Sequence, residues 1–279
     1  MNRSFYITFV SLLLIGCGRV DTPSSVGTPI KIALNIELKG QADFVSFAAF
    51  LPDGKRVITV GEMFEETADE DKTKHALIVQ LWNVESGEEL QTTELKGHTE
   101  RARVLSLSPD GKKVITGARG IQDRSVRIWN VESGKELQKL KGHAASVYSI
   151  LFSPDGKKIV TTSDGYGAGN GTARIWDAES GKLLRKIDAH PYAAHSAAFS
   201  SDGKRIVTSG MNGYIHDLRS RVWDVETGKE VKGLIKYVSG GAQCATTDFS
   251  LDGKKIVTPS IDINGDNSTA HPPRIWILE

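Results

Sequence analysis

Leu137-Gln138-Lys139-Leu140-Lys141-Gly142-His143 opens a stretch whose pattern the rest of the chain repeats. Val147–Ser153 follows, then Pro154-Asp155-Gly156-Lys157-Lys158, Ile159-Val160-Thr161, a glycine-rich gap, Ala173-Arg174-Ile175-Trp176-Asp177 and Glu179-Ser180-Gly181-Lys182. Four short runs of β-branched and aromatic residues alternate with turn chemistry, which predicts four antiparallel strands. The Asp-Gly and Ser-Gly steps place glycine where a tight turn needs positive φ.

The pattern recurs. Trp82, Trp129, Trp176 and Trp223 stand 47 residues apart, and Trp276 follows after 53. Asp53-Gly54, Asp110-Gly111, Asp155-Gly156, Asp202-Gly203 and Asp252-Gly253 keep step with them. A period of this length with four strands per unit predicts β-propeller blades. Gly97-His98, Gly142-His143, Trp176-Asp177 and Trp223-Asp224 resemble WD40 repeats, with Trp82-Asn83 and Trp129-Asn130 as mild departures. The resemblance covers residues 30–279 and implies an all-β, five-bladed WD40-type propeller.

The first copy opens with the stretch 30–39, whose Ile36-Glu37-Leu38-Lys39 together with Gly40 matches Gln138–Gly142, the outermost strand of a blade, whereas the last copy stops after its third strand, Arg274–Ile277. The economical expectation is that the amino-terminal strand completes the last blade and closes a monomeric ring, leaving no open sheet edge. The alternative is an open arc completed by a second chain.

Residues 1–17 read differently. Arg3 precedes an apolar run, Phe5–Ile15, too short for the roughly 20 residues that span a bilayer and suited to a secretory signal. Leu14-Ile15-Gly16-Cys17 resembles the lipobox of bacterial lipoproteins, which implies a signal peptide over 1–16 and acylation of Cys17. Residues 17–29, rich in Ser, Thr, Pro and Gly, then form a flexible tether, and 30–279 the propeller. Gly18 after the cysteine suggests the outer membrane, facing the periplasm. The other cysteine, Cys244, aligns with small residues and reads as a buried packing residue, so no disulfide framework is expected.

Lys and Arg number 35 against 34 Asp and Glu, a balance that argues against a nucleic-acid partner. His98, His143 and His190 each precede their turn aspartate by 12 residues, and Thr116, Thr161 and Thr208 follow them by 18. Asp123 and Asp217 lie six residues before Trp129 and Trp223, and Asn170 holds that place before Trp176. This resembles the WD40 structural tetrad of hydrogen bonds from Trp through Thr and His to Asp. Recurrence at equivalent places argues for structure rather than a catalytic relay. The first and last copies lack the His and the Asp.

The turns at one end of the repeat are nearly identical, whereas the connections Gly61–His75, Gly117–Arg124, Ser163–Gly171, Gly210–Arg219 and Ser260–Pro273 differ. Variable loops on a rigid scaffold are where binding tends to reside. The resemblance assigns partner contacts to positions near the His and before the Asp: Phe44, Arg101, Arg103, Tyr148, His195, Gln122 and His216. Arg101 and Arg103 together suggest an acidic partner. Asp262–Ser268 alternates oxygen ligands like a calcium loop but has Pro273 at the twelfth place, so a plain polar loop is expected. No nucleophile–base pair, metal cluster or phosphate loop stands outside the repeated framework. The expectation is a non-catalytic scaffold for a protein or peptide, with no cofactor. A sugar-binding or hydrolytic propeller is the alternative, with Asp69, Glu70, Asp164 and Asp266 as its loop carboxylates.

Overall fold

The computed structural model describes residues 38–40, 42–66, 73–99, 102–118, 123–165, 169–211, 217–231, 235–238, 248–250, 255–258 and 274–277, with only backbone placement for some strand ends. The chain divides into two compact units, Met1–Glu94 and Leu95–Glu279.

The described part of the first unit is one antiparallel sheet: β1 (Phe44–Phe50), β2 (Arg56–Glu66), β3 (Thr73–Asn83) and β4 (Glu89–Leu95), paired in chain order. Its β2–β3 hairpin is longer than the sequence suggests. The ladder runs from Arg56 opposite Asn83 to Glu66 opposite Thr73, so most of the expected Gly61–His75 loop is strand. Gly61 marks no turn because it lies inside β2 opposite Ile78, where continued pairing of two proline-free runs satisfies their backbone groups.

The second unit repeats the arrangement. The second sheet holds β5 (Ala102–Leu107), β6 (Lys113–Ala118), β7 (Val126–Asn130) and β8 (Glu136–Leu140). The third holds β9 (Val147–Phe152), β10 (Lys158–Ser163), β11 (Gly171–Asp177) and β12 (Leu183–His190). The fourth holds β13 (Ala193–Phe199), β14 (Arg205–Met211), β15 (Asp217–Asp224) and β16 (Ile235–Val238). The fifth has three strands among the described residues, β17 (Asp248–Phe249), β18 (Lys255–Thr258) and β19 (Arg274–Ile277). The strand expected to complete it lies almost wholly outside the described residues, and Leu38–Gly40 at its end is not in a strand. The signal segment, Cys17, the tether, Cys244 and the 262–268 loop also lie outside them.

Successive sheets of this unit meet along their first strands, β5 against β9, β9 against β13 and β13 against β17. The middle strands are covered on both faces, which explains their unbroken β-branched runs such as Lys158-Ile159-Val160-Thr161-Thr162-Ser163. Ile115, Val126, Ile128 and Leu140 of the second sheet pack on Val147, Ile150, Ile159 and Trp176 of the third. Val160, Ile175 and Ile187 of the third pack in turn on Phe199, Ile206 and Trp223 of the fourth. Trp176 and Trp223 thus each seal their own sheet onto the one before it.

Two turns recur at one end of each four-stranded sheet. In the first, Gly156 has φ +70°, Ser153 Oγ donates to Asp155 Oδ1 at 2.6 Å, and Lys157 N donates to the same oxygen at 3.0 Å. The hydroxyl of Ser153 holds the Asp155 carboxyl below the ordinary range. In the second, Asp177 Oδ1 accepts from Ser180 N at 2.7 Å and from Ser180 Oγ at 2.6 Å. Asn130 does the same with Ser133, both at 2.8 Å, because only a carbonyl-type oxygen is required. The Trp-Asn departures therefore cost the turn nothing.

Candidate functional site

The second sheet contains the complete four-residue chain. Trp129 Nε1 donates to Thr116 Oγ1 at 2.8 Å, Thr116 lies 2.7 Å from His98 Nε2, and His98 Nδ1 lies 2.8 Å from Asp123 Oδ2. With the indole donating to the threonine oxygen, the threonine proton goes to Nε2, and Nδ1–H then donates to the carboxylate. Burial of Asp123 opposes its ionisation, yet hydrogen bonds from Ser125 and His98 outweigh it and hold the carboxyl well below its ordinary range. Burial holds His98 below its ordinary pKa despite that partner.

The third sheet stops short. Trp176 Nε1 donates to Thr161 Oγ1 at 2.8 Å and Thr161 lies 2.6 Å from His143 Nε2, but His143 Nδ1 has no partner. Asn170, expected in the place of Asp123, is exposed. It lies next to Gly171, where β11 begins pairing with His190, so its side chain is left outside the sheet. Burial, then the charge of Arg174, pushes the His143 pKa down to about 3.

In the fourth sheet Trp223 Nε1 donates to Thr208 at 2.9 Å, and His190 Nε2 lies 3.0 Å from the same hydroxyl. Burial, then Arg221, pushes His190 to about 3. Asp217 opens β15, and its side chain lies outside the described set. In the first unit Trp82 Nε1 donates to Thr59 Oγ1 at 2.8 Å, and position 41 is not described.

Of the expected partner contacts, Phe44 is 59% exposed at the start of β1. Tyr148 on β9 and His195 on β13 come together, their ring centroids 5.1 Å apart at 53°. Both sit at the ends of first strands opposite the Asp-Gly turns. Asp164, one of the loop carboxylates read from sequence, accepts from the Tyr148 hydroxyl at 3.1 Å. Its backbone N donates to Ser146 O at 3.0 Å, and it bridges to Ala193. The 163–171 connection is thereby tied to the first strands of two sheets. Arg101, Gln122 and His216 lie outside the described residues, as does the side chain of Arg103. Among the described residues no three His, Cys, Asp or Glu side chains cluster as a metal site requires.

Sequence reasoning missed a repeated polar pair beside Trp82, Trp129 and Trp223. Arg127 Nη1 donates to Glu136, and its Nε donates to Ser125 Oγ at 3.2 Å. Gln80 Nε2 likewise donates to Glu89 Oε2 at 2.9 Å. The signal was the fixed spacing of Gln80, Arg127, Arg174 and Arg221, each two residues before a tryptophan.

Among the described residues the repeating unit is a four-stranded antiparallel sheet, each locked by a Trp–Thr bond and most by a histidine. The family model described as "WD domain, G-beta repeat" matches residues 87–130, 134–177 and 181–216, so the chain carries WD40 repeats. Each match begins near an outer strand and ends in the following sheet, one strand out of phase with the sheets. Guanine nucleotide-binding protein subunit beta-1 of Caenorhabditis briggsae is 30% identical over 108 residues, 37% of this chain and 27% of that protein. The chain therefore spans little more than a quarter of this curated relative. Among solved structures, Kuenenia stuttgartiensis hydrazine synthase is similar with a TM-score of 0.62 at 16% identity, over 82% of this chain and 60% of that one.

Proposed function

We propose that this protein is a non-catalytic scaffold that holds another protein or peptide on the loop end of its sheets, and that a lipid on Cys17 anchors it in a bacterial cell envelope, at the outer membrane facing the periplasm. The carrying observation is the paired Tyr148 and His195, set on two rigid first strands and braced by Asp164. Aromatic side chains held in fixed rotamers lose little entropy on contact and are enriched among binding hot spots. WD40 repeats support the scaffold reading, and the lipobox-like Leu14-Ile15-Gly16-Cys17 supports the anchor. The closed ring of five blades belongs to the same reading.

The test is a comparative envelope pull-down with the native chain and Tyr148→Ala plus His195→Ala. Loss of one specific captured protein is expected, and an unchanged set of captured proteins would refute the face. Metabolic labelling with an alkyne fatty acid tests the anchor: label is expected on the native chain and absent from Cys17→Ser.

A further inference from the structure

Arg174 is a buried cation lacking the carboxylate that its equivalents hold. It is 8% exposed, and neither Nε nor Nη1 has a hydrogen-bond partner. The register shows why. Trp129 lies opposite Glu136, and Trp223 opposite Glu230, but Trp176 lies opposite Leu183. Glu136 binds Arg127, and Glu230 lies 4.0 Å from Arg221 Nη1; in the first unit Glu89 binds Gln80. Among the four described four-stranded sheets, only the third has an apolar residue at that place. The second partner is lost too, since Thr172, the equivalent of Ser125, bonds Ser163 Oγ at 2.8 Å instead. Burial lowers the guanidinium pKa and Asp188 opposes this only through space, while its own carboxylate pairs with Lys186 at 3.3 Å.

The surroundings suit an incoming group. Leu183 is 46% exposed and offers apolar contact where its equivalents offer a carboxylate, and Leu184 beside it is 37% exposed. The cover over Nη1 is thin. Gly142 is exposed, has φ +140°, and a Cβ built there would lie 3.7 Å from Nη1, within an irregular segment over residues 141–146. A buried guanidinium without an anion leaves strong donors unmet, and the planar fork matches a carboxylate.

We propose that Arg174 is a carboxylate-binding site on the outer edge of the third sheet, where an acidic side chain of a partner peptide takes the position that Glu136 occupies on Arg127, flanked by Leu183 and Leu184. The site lies on a different part of the sheet from the Tyr148–His195 end and does not depend on it.

Fluorescence anisotropy of a labelled peptide of alternating Glu and Leu, with the full-length chain, tests the proposal. Saturable binding is expected, weakened at least about tenfold in Leu183→Glu, which supplies the missing acid from within. Leu183→Glu should also raise the urea midpoint, so that lost binding cannot be assigned to misfolding. Tyr148→Ala plus His195→Ala should bind the peptide as the native chain does, which separates this site from the loop end. Absence of binding to the native chain, an affinity in Leu183→Glu within twofold of native, or a lowered midpoint in that variant would overturn the site. Displacement by inorganic phosphate at concentrations where acetate has no effect would overturn the choice of a carboxylate.

Discussion

Thr116→Val removes one hydroxyl and strands two buried groups. Trp129 is 0% exposed and loses the acceptor of its indole N–H, and His98 Nε2 loses its donor. Valine keeps the shape, so no cavity term enters. Leaving a buried polar group unmet costs about 1–3 kcal/mol, which puts Thr116→Val, with two such groups, at about 2–6 kcal/mol. Thr59→Val is the internal comparison. There the hydroxyl serves Trp82 alone among the described groups, so the expected cost is about half as large, about 1–3 kcal/mol. Urea unfolding followed by tryptophan fluorescence at neutral pH gives both values, provided the slope against denaturant stays constant. If the two units unfold in separate transitions, each variant should move only its own. Equal costs, or a Thr116→Val cost below about 1 kcal/mol, would refute the hydrogen-bonded chain as a source of stability.

Further expectations follow from the same geometry. His143 and His190 have folded pKa values of about 3, below the ordinary value, so the unfolded chain binds protons first as pH falls. Stability is fully present above pH 6.5 and declines between there and about 3, by about 1.4 kcal/mol per pH unit for each histidine. His143→Gln should flatten the slope of the urea midpoint between pH 7 and 5, and an unchanged slope would contradict this. Asp177→Asn should leave the midpoint within about 0.5 kcal/mol of native, since Asn130 already serves an equivalent turn, whereas Asp177→Ala should cost about 1 kcal/mol. The loop-end pull-down and the acidic-peptide titration complete the set.

What the residues alone disclosed was everything set by local chemistry and repeated spacing. Strands, turns and the Thr–Trp–His partnership were legible because short β-branched runs, Asp-Gly steps and fixed intervals force them wherever they recur. Asp177 and Asn130 show how little such turns ask of a side chain. Only the tertiary structure decided which spacing became a contact. The interval that places Asp123 on His98 leaves Asn170 in solvent, because one side chain folds into the sheet and the other stays outside where pairing begins. Residues 61–66 and 73–75 looked like loop until cross-strand pairing claimed them, since a ladder depends on two segments and no single segment declares it. The Tyr148–His195 contact joins strands of adjacent sheets, and the unmet Arg174 becomes visible only when Leu183 is seen opposite Trp176. Local preference is written residue by residue, but the pairing of donor with acceptor is settled in space, where a distant segment supplies or withholds the second half.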